Sequence, residues 1–265
     1  SFMEKNIKSN SPIILGLAGK AGSGKTSVAE QIVPKGSFST SSYGIVWDHI
    51  FYALPIYEFS SIRRTISGVN QDSRQLYAIH SVLYDIYGSS AIGSIPNYED
   101  FIDRVNKIKN LPIEPEGYKP RSFLQNAGDI CREGFEDCFA KWGISKANKI
   151  YNNYIRSADE DSVQFAAAFA VIISDVRFEN EARTILEQPN GMIVCFDADQ
   201  SVLDQRILAR DGTLMSDEHM NHKSEQQISI VKEMATAVID TTNMDIKQQT
   251  KATLEAIGVL QVQSA

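Results

Sequence analysis

Residues 16–26 read Gly-Leu-Ala-Gly-Lys-Ala-Gly-Ser-Gly-Lys-Thr, and their spacing decides the fold. Gly19, Gly24, Lys25 and Thr26 satisfy the pattern G-x-x-x-x-G-K-[S/T]. The apolar run Ile13 to Leu17 leads in, and Thr26 to Val33 reads as a helix stopped by Pro34. Strand, glycine loop and helix in that order describe a phosphate-binding loop. Backbone N–H groups wrap an anion there, and the helix presents its positive end to it. Gly22 and Gly24 permit backbone shapes and close approach that a side chain would block.

Working outward, Ala168 to Ser174, Met192 to Phe196 and Ala235 to Ile239 are expected as buried parallel strands. A weaker run, Phe38 to Tyr43, is placed as the strand after the first helix. Helical stretches separate these runs, the pattern of a parallel sheet covered on both faces. The expected fold is a P-loop α/β three-layer sandwich with five parallel strands. Between Ile50 and Lys149 helical periodicity takes over, interrupted by 89–96 and 111–117. This stretch is expected as a helical insertion, 50–149, in a single domain with its core at 12–49 and 150–265. Residues 157–164, Ser-Ala-Asp-Glu-Asp-Ser-Val-Gln, read as a solvated acidic connector.

Composition bounds the function. At 265 residues, 43% hydrophobic and 22% charged, the chain can bury a full core. A net charge of −7 disfavours a nucleic-acid polymer or an anionic membrane as partner. Three cysteines, Cys131, Cys138 and Cys195, form no C-x-x-C pair, which suits a reducing cytoplasm. The longest apolar run, Phe165 to Ile173, is too short to span a bilayer, and no charged-then-apolar leader pattern is present.

The loop implies a nucleoside triphosphate, ATP, with Mg²⁺. Gly19, Lys20, Ala21, Gly22, Ser23, Gly24, Lys25, Thr26 and Ser27 form its cradle; Lys25 reaches the outer phosphates and the Thr26 hydroxyl holds the metal. Magnesium also needs a carboxylate at a strand end. Asp175 and Asp197 each end an apolar run, and Asp175 is preferred because Arg177 and Glu181 follow it at once. No Asn-Lys-x-Asp stretch is present to read guanine: Asn106-Lys107-Ile108-Lys109 lacks the final Asp. A hydroxyl acceptor would need a base, and Asp48 and Asp129 sit in no readable context. A phosphate acceptor needs cations instead, and arginine's planar fork suits its oxygens.

Four stretches bring arginine, or His and Lys, to candidate positions: 119–132 (KPRSFLQNAGDICR), 174–182 (SDVRFENEA), 203–212 (LDQRILARDG) and 221–225 (NHKSE). In this order after the glycine loop, they resemble the bacteriophage-type deoxynucleoside monophosphate kinases. The segment D-V-R-F-x-N-E-A is the most telling part, and the match is thinnest from Phe59 to Gly117. Thr26-Ser27 departs from the Asp-Thr often found in relatives. The resemblance implies the strand order 2-3-1-4-5, a helical acceptor-binding part and a lid at about 203–228. It implies a deoxynucleoside 5′-monophosphate as acceptor, bound by Arg121, Gln125, Arg132 and Arg177. It also implies that Arg206 and Arg210 descend onto the donor, with Thr242 and Asn243 beside it. Arg206 and Arg210 are four apart, so a helix places them on one face.

His219, His222 and Glu225 have the spacing of a metal face, but with no Cys nearby a polar cluster is the expectation. A dephospho-coenzyme A type of hydroxyl kinase and a slow regulatory ATPase are the alternatives. The expected setting is the cytoplasm (a host's, if phage-encoded), and a homodimer is allowed.

Overall fold

The structure is a computed structural model that describes residues 10–36, 40–65, 81–88, 95, 97–108, 119–157, 168–216 and 222–260. The chain divides into two compact units, one of residues 1–51 with 143–265, the other of residues 52–142. The expected insertion, 50–149, overlaps the second of these.

The larger unit is built on β1 (Ile13–Gly19), α1 (Lys25–Ile32), β2 (Thr40–Ser42) and β3 (Ile45–Ile50). Its sheet then takes β4 (Ala168–Val176), β5 (Gly191–Asp197) and β6 (Ala237–Asp240). The sheet has six strands in the order β2-β3-β4-β1-β5-β6. All neighbours are parallel except β2 and β3. Strand β1 is buried along its whole length, as expected of a central parallel strand with both edges and both faces covered.

Strand count and order differ from the expectation of five parallel strands, and a hairpin is the reason. Ser42 pairs with Ile45 across Tyr43 (φ 57°) and Gly44 (φ 73°). Two consecutive positive φ angles make the tight hairpin turn whose twist matches its flanking strands. The antiparallel β2 is therefore an added edge. The parallel strand after α1 is Ile45–Ile50, not the run 38–43; Phe38 itself lies outside the described residues. With β2 set aside, the five parallel strands run 2-3-1-4-5.

Alternation along β1 assigns the layers. Ile13, Leu15 and Leu17 join Val28, Ala29 and Ile32 of α1 and Leu254 of α2 (Ile246–Ala256) in one core cluster. Gly16 faces the other way, toward Ile185 of α3 (Glu179–Leu186). Helix α4 (Ile228–Met234) packs beside α3 on that side. The Asp245 side chain accepts the Gln248 N–H and the Gln248 side chain answers the Asp245 N–H, a capping box that starts α2.

The described residues of the smaller unit are mostly helical. They form α5 (Leu54–Thr65), a helical segment at 81–87, α6 (Tyr98–Ile108) and α7 (Arg121–Gly134). Phe59 and Phe123 rings lie 5.3 Å apart, and Tyr87 meets Phe101 edge-on at 6.0 Å. Tyr87 donates its hydroxyl to the Cys131 carbonyl, and Trp142 donates to Asp85 at 3.1 Å. Helix α8 (Cys138–Ser157) carries the chain across the 142/143 boundary. No helix among the described residues is long and apolar enough to cross a membrane.

The hairpin gives a test of the sheet edge. Gly44→Val should cost about 1–2 kcal/mol in urea denaturation, because a β-branched residue resists positive φ. Gly44→Asn, which tolerates that region, should lose little.

Candidate functional site

The site grows from the carboxyl end of β1. Residues 20–24 loop back over it, and Lys25 opens α1. Gly22 and Gly24 have φ of 82° and 103°, conformations an L side chain resists. A Cβ on Gly22 would lie 2.9 Å from the Leu203 carbonyl, and one on Gly24 would collide with the Gln249 side-chain oxygen. The loop thus has backbone on one side and no side chain at its turns.

Lys25 is buried, and its ammonium donates to the Gly19 and Lys20 carbonyls of its own loop. Burial, then the neighbouring Arg177 guanidinium, pull its pKa from 10.5 down to about 7; Glu225 and Asp175 oppose that shift. A cation held this dry gains strongly from any anion that arrives.

Three groups brace the loop from beneath. Arg206, on α9 (Gln200–Asp211), donates to the Thr241 carbonyl at 2.6 Å and reaches the Gly22 carbonyl at 3.4 Å. The Thr241 hydroxyl stands 3.3 Å from the Ser23 carbonyl. Gln249 is buried against Gly24 and donates to the Met244 carbonyl at 3.2 Å.

The β4–α3 turn supplies the charged side. Asp175 lies at the end of β4, close enough to act electrostatically on Lys25 and on His49. The His49 ring meets the Ser174 hydroxyl at 2.6 Å, and burial lowers its pKa. Glu181 accepts the backbone N–H of both Arg177 and Phe178 at 3.0 Å, so it caps α3 and fixes the turn. The sequence allowed an Arg177–Glu181 ion pair at i, i+4. Instead the Arg177 guanidinium reaches Glu225, at 3.5 Å, while its buried Nε has no hydrogen-bond partner among the described residues. Glu225, on the short helix α10 (Lys223–Gln226), also faces the Ala21 N–H at 3.5 Å.

Thr26 and Ser27 are exposed at the start of α1, and Lys20 is exposed on the loop. Asp197, the alternative strand-end carboxylate, is exposed and bound to Lys232 at 2.6 Å. Arg210 does not join Arg206; it is 48% exposed and pairs with Asp211 at 2.9 Å. The Thr242 hydroxyl accepts the Asp199 N–H, and Asn243 is exposed at the same turn. His219 lies outside the described residues. His222 caps the start of α10 through its carbonyl, which accepts the Glu225 and Gln226 N–H groups. No metal-holding group of three or more His, Cys, Asp or Glu occurs among the described residues.

Within the smaller unit, Arg121, Gln125, Gly128 and Arg132 follow one another at four, three and four residues along α7, and so form one stripe. A Cβ on Gly128 would lie 2.8 Å from the Arg132 guanidinium, so the glycine leaves that side chain room to fold along the helix. Arg132 also stacks over Phe139 at 4.8 Å. The Gln125 amide nitrogen is buried without a hydrogen-bond partner among the described residues.

Sequence reasoning missed Glu225 as a member of the site, although the Asn-His-Lys-Ser-Glu stretch was in view. It also missed Thr241, Gln249 and the His49–Ser174 pair. No local pattern marks them, because each is brought in by a different strand or helix.

Neither models of known protein families nor curated proteins match this chain. Among solved structures, the crystal structure of TT1252 from Thermus thermophilus is similar at 14% identity and a TM-score of 0.40. The likeness covers 92% of this chain and 97% of that one.

Glu181 offers a test of the turn. Glu181→Ala leaves two backbone N–H groups without their carboxylate, and should cost about 1–3 kcal/mol in denaturant unfolding. Glu181→Asp, too short to reach both, should fall between the variant and the parent.

Proposed function

We propose that this protein transfers the terminal phosphoryl group of ATP to a deoxynucleoside 5′-monophosphate. One observation carries the reading: Arg177, just past β4, lies close enough to Lys25 of the glycine loop to act on its charge, and it reaches the Glu225 carboxylate that also acts on Lys25. A loop lysine alone would serve hydrolysis or any acceptor. A second, half-buried cation beside it suits two polyanions brought together, because each approach of phosphate to phosphate needs charge to offset it. The acceptor's class comes from the family resemblance of the 119–132 and 174–182 stretches.

The residues divide the work. The loop N–H groups and Lys25 bind the donor's outer phosphates, and the buried setting strengthens each contact. Arg177 orients the anion opposite, through a fork that fixes two oxygens at once. Thr26 and Asp175 fit a hard divalent cation, being a hydroxyl and a carboxylate near the loop. Mg²⁺ would supply charge neutralisation on the phosphate oxygens. Asp175 suits this better than Asp197 because it lies close enough to the loop to act on the Lys25 charge. Arg121, Gln125 and Arg132 are proposed to hold the acceptor, with the buried Gln125 amide free to read a base edge. Arg206 is proposed to keep the loop's shape, and Arg210 to contact the donor after leaving Asp211.

The deciding experiment is ADP release across the common deoxy- and ribonucleoside monophosphates, with products resolved. One nucleoside diphosphate per ADP is expected; free phosphate alone would favour a regulatory ATPase, and phosphorylation of a hydroxyl the dephospho-coenzyme A type. Lys25→Ala should lower turnover by about a thousandfold or more while circular dichroism stays native. Arg177→Ala should cut transfer by about a hundredfold with ATP binding little changed, and Arg177→Lys should recover only part. Asp175→Asn should raise the Mg²⁺ needed for half-maximal rate. The same effect from Asp197→Asn alone would move the metal to β5.

A further inference from the structure

We propose that the Glu225 carboxylate is an internal stand-in for phosphate, seated between Arg177 and the glycine loop and displaced when a phosphate chain binds. The inference rests on the reading of residues 19–26 as a phosphate loop.

Three features of Glu225 lead there. It is 8% exposed, an unusual depth for a glutamate. Its two oxygens face groups that suit a phosphate: Oε2 the Ala21 N–H and Oε1 the Arg177 guanidinium, both at 3.5 Å. It also acts on Lys25, offsetting the repulsion of Arg177. Without a negative group here, the buried Lys25 ammonium and the half-buried Arg177 guanidinium would repel each other unopposed, which is costly away from water.

Both contacts are long. Charge-assisted contacts settle at about 2.7–2.9 Å, so a phosphate could approach the Ala21 N–H and the Arg177 guanidinium more closely than the 3.5 Å at which the carboxylate stands. A carboxylate is planar and offers two oxygens; a phosphate offers more oxygens in three dimensions. Space for the displaced side chain exists. A cavity of about 260 Å³ adjoins Glu225, lined also by Lys20, Ala21, Ile207, Met215 and Ser229.

The consequence is a trade. Glu225 stabilises the ligand-free protein and competes with every phosphate ligand. Removing its charge should weaken the empty state and tighten phosphate binding. A glutamate that merely supports the fold would weaken both.

The test uses the full chain and inorganic tripolyphosphate, by isothermal titration and by thermal unfolding with and without the ligand. Glu225→Gln should bind about tenfold tighter, unfold at a lower temperature when empty, and gain more on adding tripolyphosphate. Should the empty glutamine variant not fold, Glu225→Asp keeps the charge but draws it back by one methylene, and should bind at least threefold tighter. Affinity equal to or weaker than the parent's in the folded variant overturns the proposal while the phosphate-loop reading stands. If the parent and the variant both fail to bind tripolyphosphate, the phosphate-loop reading falls and this proposal falls with it.

Discussion

A lysine ammonium with almost no water around it is the constraint on which the rest of the larger unit turns. Lys25 opens a helix and must fold its charge back into the loop it has just left. The loop can receive it only if its carbonyls point inward and its turns carry no side chains. Gly22 and Gly24 meet the second condition, through positive φ and through neighbours that leave no space for a Cβ. The first condition is met from outside, by Arg206, Thr241 and Gln249, which hold the loop from the carboxyl edge of the sheet and the helix after it. Sheet order matters for this reason. With β1 between β4 and β5, the loop after β1 has an acidic turn on one flank and the Thr241 turn, through β6, on the other.

Charge balance then organises the β4–α3 turn. Arg177 needs its guanidinium aimed at the loop, so its backbone must be fixed by something other than its own side chain. Glu181 does that by accepting two N–H groups, which leaves the guanidinium free to meet Glu225. Two glutamates thus do different jobs around one arginine: one sets the backbone and the other faces the charge. Sequence spacing alone cannot separate these roles, since i, i+4 geometry permits the direct pair.

Legibility in the sequence followed the range of the forces involved. The glycine loop, α1 and the strands β4 and β5 are local patterns, and their residues carried enough signal to place them within a residue or two. Strand β3 was missed because Ile45-Val-Trp-Asp-His-Ile50 mixes charge into a short run, and because the run at 38–43 looked like the strand expected there. The Tyr43-Gly44 pair was the available clue, since two residues at positive φ between short strands mark a hairpin. Glu225 was visible only as a polar neighbour of two histidines. Its importance comes from a backbone N–H 204 residues away in sequence, which no local pattern encodes.

The two arginines of α9 show where helical spacing stops being informative. Arg206 and Arg210 share a face of α9, yet they differ in what lies within reach. Arg206 is next to backbone carbonyls of two turns, and burial pulls its pKa below the ordinary value without an acid to pair with. Guanidinium groups satisfied by carbonyls have donors already committed to neutral acceptors that hold the loop in shape. Arg210, one turn further along, has solvent and Asp211, and an exposed pair of this kind is weak and easily exchanged. Spacing therefore predicts direction, while the acceptors at the end of that direction decide whether an arginine is a strut or a mobile charge. By that criterion the cations closest to the loop's centre are Lys25 and Arg177, and Arg206 is a strut that ties the Gly22 and Thr241 carbonyls together.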